Sequence, residues 1–165
     1  MDVERDDILF AAEVSTRYHR RRATFLGDAD RLLTFFQLLA GASAFGTLVT
    51  AGGTLFAQWA TALVTLAATV QAVFGMSVAA CRHEAWLKRW SDLLIEVRLN
   101  GDPSPEMLAA WARTRAMIEQ EHVGELRALE RDCANKARKV LGWQGEHREI
   151  SFLQRLFIQV ASFPA

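Results

Sequence analysis

The sequence predicts an all-α membrane protein, a two-span transmembrane helical hairpin with long cytoplasmic helices, and three observations predict it. The stretch from Leu32 to Cys81 contains no Asp, Glu, Lys, Arg or His, while every charged residue of the chain lies outside it. A water-soluble protein of this size has no reason to gather its apolar residues in one block, so the block reads as membrane-embedded. At about 50 residues it is too long for one span, which needs about 20, and right for two. Its one clear interruption is Thr50-Ala51-Gly52-Gly53-Thr54, where two glycines permit a tight reversal. Finally, the flanks are rich in Arg, Glu, Leu and Ala, and strand-like alternation is missing, which is the composition of helices.

These observations divide the chain into three regions. Residues 1–31 form a cytoplasmic, amphipathic basic helix that leads into the membrane. Residues 32–81 are the hairpin, with spans at 32–50 and 55–81 and a turn at 51–54. Residues 82–165 are a cytoplasmic helical region with helices at 82–99, 105–141 and 147–161.

Averages conceal this segregation. Half of the residues are hydrophobic (51%) and the formal net charge is zero, so the mean alone looks globular. Neutrality argues against a general nucleic-acid binder, and no direct DNA binding is expected. Cys81 and Cys133 sit in unrelated segments; without a framework of pairs they read as reduced thiols. The acidic start, Met1-Asp2-Val3-Glu4-Arg5-Asp6-Asp7, is unlike the basic start of a secretory signal.

In the first region Asp6 and Asp7 can open a helix that carries Ile8, Leu9, Phe10, Ala12, Val14 and Tyr18 and then turns basic. No proline separates it from Leu32, so one long helix can pass from the cytoplasm into the membrane, with Gly27 a weak point rather than a break. Arg17, Arg20, Arg21 and Arg22 surround His19. They admit three readings: topology and anionic headgroups, packing against acidic residues, or a phosphate-binding surface for a nucleotide ligand. With Arg82 and His83 after the second span they are the ligand or gate candidates.

The first span has a small-residue centre. Gly41, Ala42 and Gly46 are its helix-packing candidates, since Ala42 and Gly46 make a small-xxx-small pair; the pair suits the hairpin's own packing as well as an oligomer contact. In the second span Thr54, Gln58, Thr61, Thr65 and Thr69 recur at helical spacing and fall within about 40° of Thr65, with Met76 continuing the stripe. Gln58, Thr61, Thr65, Thr69 and Met76 are therefore the pore-lining candidates. The competing readings are interhelical contact and threonine hydroxyls bonded to carbonyls one turn earlier. One hairpin cannot enclose a pore, so a channel must be a homo-oligomer. Arginines and Lys88 flank the hairpin while its turn is uncharged, which predicts that both termini are cytoplasmic.

Past the membrane, Trp86 and Trp90 lie one turn apart, at headgroup level or against the N-terminal helix. Asn100-Gly101-Asp102-Pro103 ends that helix. Ser104 caps the next, with Pro105 in its first turn, and Gly124 is a kink or boundary within 105–141. Gly142 and Gly145 break the chain before the last helix, whose apolar side either lies in the interface or docks on a neighbour.

A search for chemistry finds no enzyme. His83-Glu84 lacks the second histidine of a zinc-protease helix, the four histidines are scattered, and no Cys-x-x-Cys, phosphate loop, dinucleotide fingerprint or nucleophile elbow is present. No metal site and no cofactor are expected. Glu119, Glu121, Glu125 and Glu130 with Arg127 and Arg131 read as a solvated helix face.

In order and spacing the chain resembles the SLATT domains, bacterial two-transmembrane modules of nucleotide-linked conflict systems. The likeness is carried by Tyr18-His19-Arg20-Arg21-Arg22 before the first span, by the short uncharged turn, and by Arg82-His83-Glu84 with Arg89-Trp90-Ser91-Asp92-Leu93-Leu94-Ile95-Glu96-Val97 after the second. Glu119 to Lys136, with Leu126, Leu129, Cys133 and Asn135, is similar to the cytoplasmic helix of such proteins. The resemblance implies an effector of the bacterial inner membrane that assembles into a pore in anti-phage defence. It also implies a trigger, either a nucleotidyltransferase partner or its nucleotide product. A non-conducting anchor that recruits a cytoplasmic partner, and a holin-like lysis protein, are the alternatives.

Overall fold

A computed structural model describes residues 3–51, 55–121, 126–143 and 149–159, with side-chain surroundings for these except 3, 43–51, 56, 57, 60 and 74. The described residues are all-helical and contain no strand. The helices are α1 (Val3–Ala51), α2 (Leu55–Phe74), α3 (Met76–Leu99), α4 (Pro105–Glu121), α5 (Arg127–Leu141) and α6 (Phe152–Leu156). The chain divides into two compact units, Met1–Arg22 with Arg82–Ala165, and Ala23–Cys81. We call the first the helical head and the second the two-helix unit.

In the head, the start of α1 is the central element, because its successive faces are covered by different neighbours. Ile8, Leu9 and Ala12 join Trp90, Leu93, Leu94 and Val97 of α3 and Trp111 and Ile118 of α4 in one core. Val14 and Tyr18, on another face of α1, join Ala128, Leu129, Cys133 and Ala137 of α5 and Ile158 in a second. Each fully buried large side chain contributes roughly 1.5–3 kcal/mol, so the two cores hold the surrounding helices onto α1 from different sides. Trp90 thus packs on the N-terminal helix, one of the two places the sequence allows it.

Helix ends are closed by side chains from elsewhere in the head as well as by local signals. The Arg5 guanidinium donates to the carbonyls of Val97 and Asn100 at 3.1 Å each, and Asn100 Nδ2 donates to the Glu96 carbonyl. These bonds satisfy acceptors that the end of α3 leaves open. Ser104 Oγ accepts from the Met107 amide at 3.3 Å and caps α4. Leu126 has no capping side chain, and its amide donates instead to the Tyr18 hydroxyl at 3.1 Å. Gly142, at φ 69°, ends α5 in the left-handed region, with Trp143 N–H bonding back to the Arg138 carbonyl. That geometry is why glycine stands there. The sequence reads one helix over 105–141; the structure describes α4 and α5, and Gly124 lies outside the described residues.

The two-helix unit contains the later part of α1, α2 and the first residues of α3. Gly75, at φ 52°, separates α2 from α3, while backbone bonds continue on both sides of it, from Gly75 N–H to Gln71 and from Ala79 N–H to Gly75. Where the sequence reads one span over 55–81, the structure has this glycine joint. Taken across the joint, Thr61–Leu99 is the one helix among the described residues long and apolar enough to cross a membrane, and none of its apolar window is buried. The proposed turn at Gly52 and Gly53 lies outside the described residues.

A polar clasp pairs α2 with α1 in this unit. Gln71 Nε2 donates toward the Asp30 carbonyl and carboxylate, 3.1 Å each, and toward the Thr34 hydroxyl at 3.0 Å. Gln37 Nε2 in turn donates to Gln71 Oε1. An amide away from water needs such partners, and the clasp fixes the register of the two helices as well as satisfying Gln71.

Candidate functional site

The threonine stripe and the clasp occupy different faces of α2. At 3.6 residues per turn, Gln71 lies about 120° from Thr65 around the helix axis, and half-buried Val64, Ala67 and Val70 lie at least about 100° from it. Gln58, Thr61, Thr65 and Thr69 are all exposed. The stripe therefore points away from the face that meets α1, and among the described residues it stays exposed; Thr54 lies outside them. Thr65 and Thr69 donate their hydroxyls to the carbonyls of Thr61 and Thr65, at 2.9 and 2.8 Å. This back-bonding satisfies the hydroxyl hydrogens and leaves each oxygen with acceptor capacity on the uncovered face. Met76, just beyond the glycine joint, is half-buried. Around the stripe, Leu55, Trp59, Leu63, Leu66 and Val73 are also exposed, which in water would be an unmanageable apolar surface.

In the later part of α1, Gly41 has open space where a Cβ would stand, so no described segment approaches it closely, and Ala42 is exposed. Gly46 lies outside the residues whose side-chain surroundings are described.

The basic run does not converge. Consecutive helical positions diverge by about 100°, and the arginines reach different partners. Arg17 pairs with Glu13, whose other oxygen accepts from Arg98 at 2.6 Å. Arg21 pairs with Asp132, which also holds Lys136 at 2.8 Å. Arg22 donates to the Gln159 carbonyl at 2.6 Å; burial pulls its guanidinium below the ordinary value, against an opposing influence from Tyr18. Arg20 and Arg82 are exposed. Of the three readings of this cluster, internal packing describes what Arg17, Arg21 and Arg22 do in the head.

His83 is the nominated residue that the structure brings into a cluster. His19 Nδ1 and His83 Nδ1 lie 2.9 Å apart, with Trp86 about equally close to both rings (5.4 Å between centroids) and Tyr18 edge-on to His19. Such a contact requires one Nδ1 to carry a proton and the other to be bare. Protonating both rings fully would set two donors face to face. No group of three or more His, Cys, Asp or Glu side chains able to hold a metal ion occurs among the described residues.

Gln37 and Gln71 escape a reading by motif, because each is a lone polar residue in an apolar helical run, while Glu13 was signalled only by its i,i+4 spacing from Arg17. For the two glutamines isolation was the available signal: an amide in a charge-free helical run must find a partner. No protein-family model, curated protein or solved structure matches the chain.

Proposed function

We propose that this protein is a membrane effector whose hairpin crosses the bacterial inner membrane twice, with both termini cytoplasmic, and assembles with copies of itself into a pore. The observation that carries this reading is the uncovered threonine face of α2, set away from the clasp that pairs α2 with α1. A polar face not needed for a chain's own packing is suited either to a neighbouring copy or to water in a conduit. In this reading Gln58, Thr61, Thr65 and Thr69 line the pore. The activating event is a nucleotide signal or a partner protein acting in anti-phage defence, as the SLATT resemblance implies.

The anchor reading has its own support. The head has two separate cores, more structure than a pore alone requires, and Arg17, Arg21 and Arg22 are engaged in holding it together. In that reading the head recruits a partner and the hairpin only retains it at the membrane.

The test is expression of the chain and of the triple variant T61V/T65V/T69V in bacteria together with the activator, with a potential-sensitive dye and chemical crosslinking read in parallel. The pore reading expects wild type to crosslink into oligomers and depolarise the membrane, and the variant to crosslink equally but hold the potential. Wild-type oligomers without depolarisation would rule out the pore and leave the anchor.

A further inference from the structure

The head contains a cavity of about 410 Å³ bounded by α1, α3, α4 and α5, a volume within the range of small-molecule sites. Its floor is buried and largely aromatic: Val14, Tyr18, His19 and Trp90. On that floor the Tyr18 hydroxyl is engaged by the Leu126 amide and His19 Nδ1 by His83, so much of what it offers a ligand is aromatic surface. The rim carries three charges, Arg115, Glu119 and Glu130. Arg115 Nε donates to Glu119 Oε1 at 2.7 Å, and these two neutralise each other. Glu130 is half-buried and makes no ion pair among the described residues. The lining is thus net negative by one carboxylate over an aromatic floor.

We propose that this cavity binds a small amphipathic organic cation, an arylalkyl ammonium in class, with its apolar body on Tyr18 and Trp90 and its charge met by Glu130. Aromatic rings attract a desolvated cation, and a carboxylate with no ion pair among the described residues gains one. An anionic nucleotide would bring its phosphates to the same rim against like charge. The head itself seats a cation in this way beside the cavity: the Arg138 guanidinium lies 5.2 Å over the ring of Phe10, another wall residue. That arginine is not part of the lining; its charge offsets part of the rim's negative potential, and Glu130 remains the carboxylate in direct reach of a bound cation. The proposal concerns the head alone and does not depend on whether the hairpin conducts.

The experiment is calorimetric titration of the full chain in detergent micelles with phenethyltrimethylammonium. Phenethyl alcohol serves as the neutral comparator, adenosine monophosphate as the anionic one, and protein-free micelles correct for partitioning. Binding of the ammonium probe should be saturable. E130Q should weaken it about tenfold, the usual scale for losing a charge-assisted contact. A134F, which fills the cavity without changing its charge, should abolish it, with circular dichroism showing that both variants stay folded. Equal binding of ammonium and alcohol, unchanged affinity in both folded variants, tighter binding of the nucleotide, or no saturable binding of the ammonium would each overturn the proposal.

Discussion

Glu13 is the sharpest test of how the head is held together. Its carboxylate is 5% exposed and lies between two guanidinia, Arg17 on its own helix and Arg98 on α3, which are 32% and 48% exposed. E13Q keeps the shape but removes the charge. The remaining oxygen still accepts from one arginine, while the new amide directs a donor at the other. Losing one charge-assisted bond costs about 1.5–3 kcal/mol, and weakening the second adds up to about 1 kcal/mol. Both arginines can turn toward water, which recovers part of this, so the net cost is about 2–3 kcal/mol. For a chain of this length that corresponds to a fall in Tm of roughly 5–10 °C. The assay is thermal unfolding of the full chain in micelles followed by tryptophan emission, since Trp90 and Trp111 are buried in the adjoining core. R98Q is the comparison. It removes the more exposed partner, leaves Glu13 paired with Arg17, and should cost no more than about 1 kcal/mol. An E13Q protein that melts within about 2 °C of wild type, or an R98Q protein that is the less stable of the two, would refute the argument.

Three further outcomes are expected. Burial pushes the Cys133 thiol above its ordinary value, while Cys81 is exposed; a maleimide should label the native protein once, at Cys81, and Cys133 only after denaturation, as mass spectrometry of wild type and C81S would reveal. Burial raises Asp132, but hydrogen bonds from Lys136 and Arg21, with their charges, outweigh it and hold the carboxyl below its ordinary 3.8. A carboxyl lowered by folding stabilises the native state above its unfolded value and loses that contribution as pH falls through the folded value, so acid titration of unfolding should show D132N losing less stability than wild type below about pH 4. Q71L removes the clasp between α1 and α2 and should destabilise the two-helix unit by about 1 kcal/mol, measured by denaturant titration in micelles; unchanged stability would mean that the clasp contributes nothing.

Much of the helical architecture was legible in the residues themselves. The unbroken α1 follows from a run without proline in which Gly27 meets no crowding. Ser104, Pro105 and Gly142 act at helix ends as their chemistry requires. The angular position of the threonine stripe is a matter of arithmetic at 3.6 residues per turn. Such features depend on neighbours in sequence, so sequence determines them. What the stripe faces is different: only the clasp at Gln71 reveals that it lies off the face that meets α1. The roles of the arginines also needed the tertiary structure. A basic run looks the same whether it awaits phosphate or is engaged by Glu13, Asp132 and a carbonyl at Gln159, because the deciding partners lie as far as 137 residues away. His19 and His83 are 64 residues apart, and only the packing of α3 on α1 makes them a pair. Sequence determined the helices and the charge-free block, through local propensity and hydropathy; the fold decided which polar groups meet, because meeting is a property of register between helices and not of any one of them.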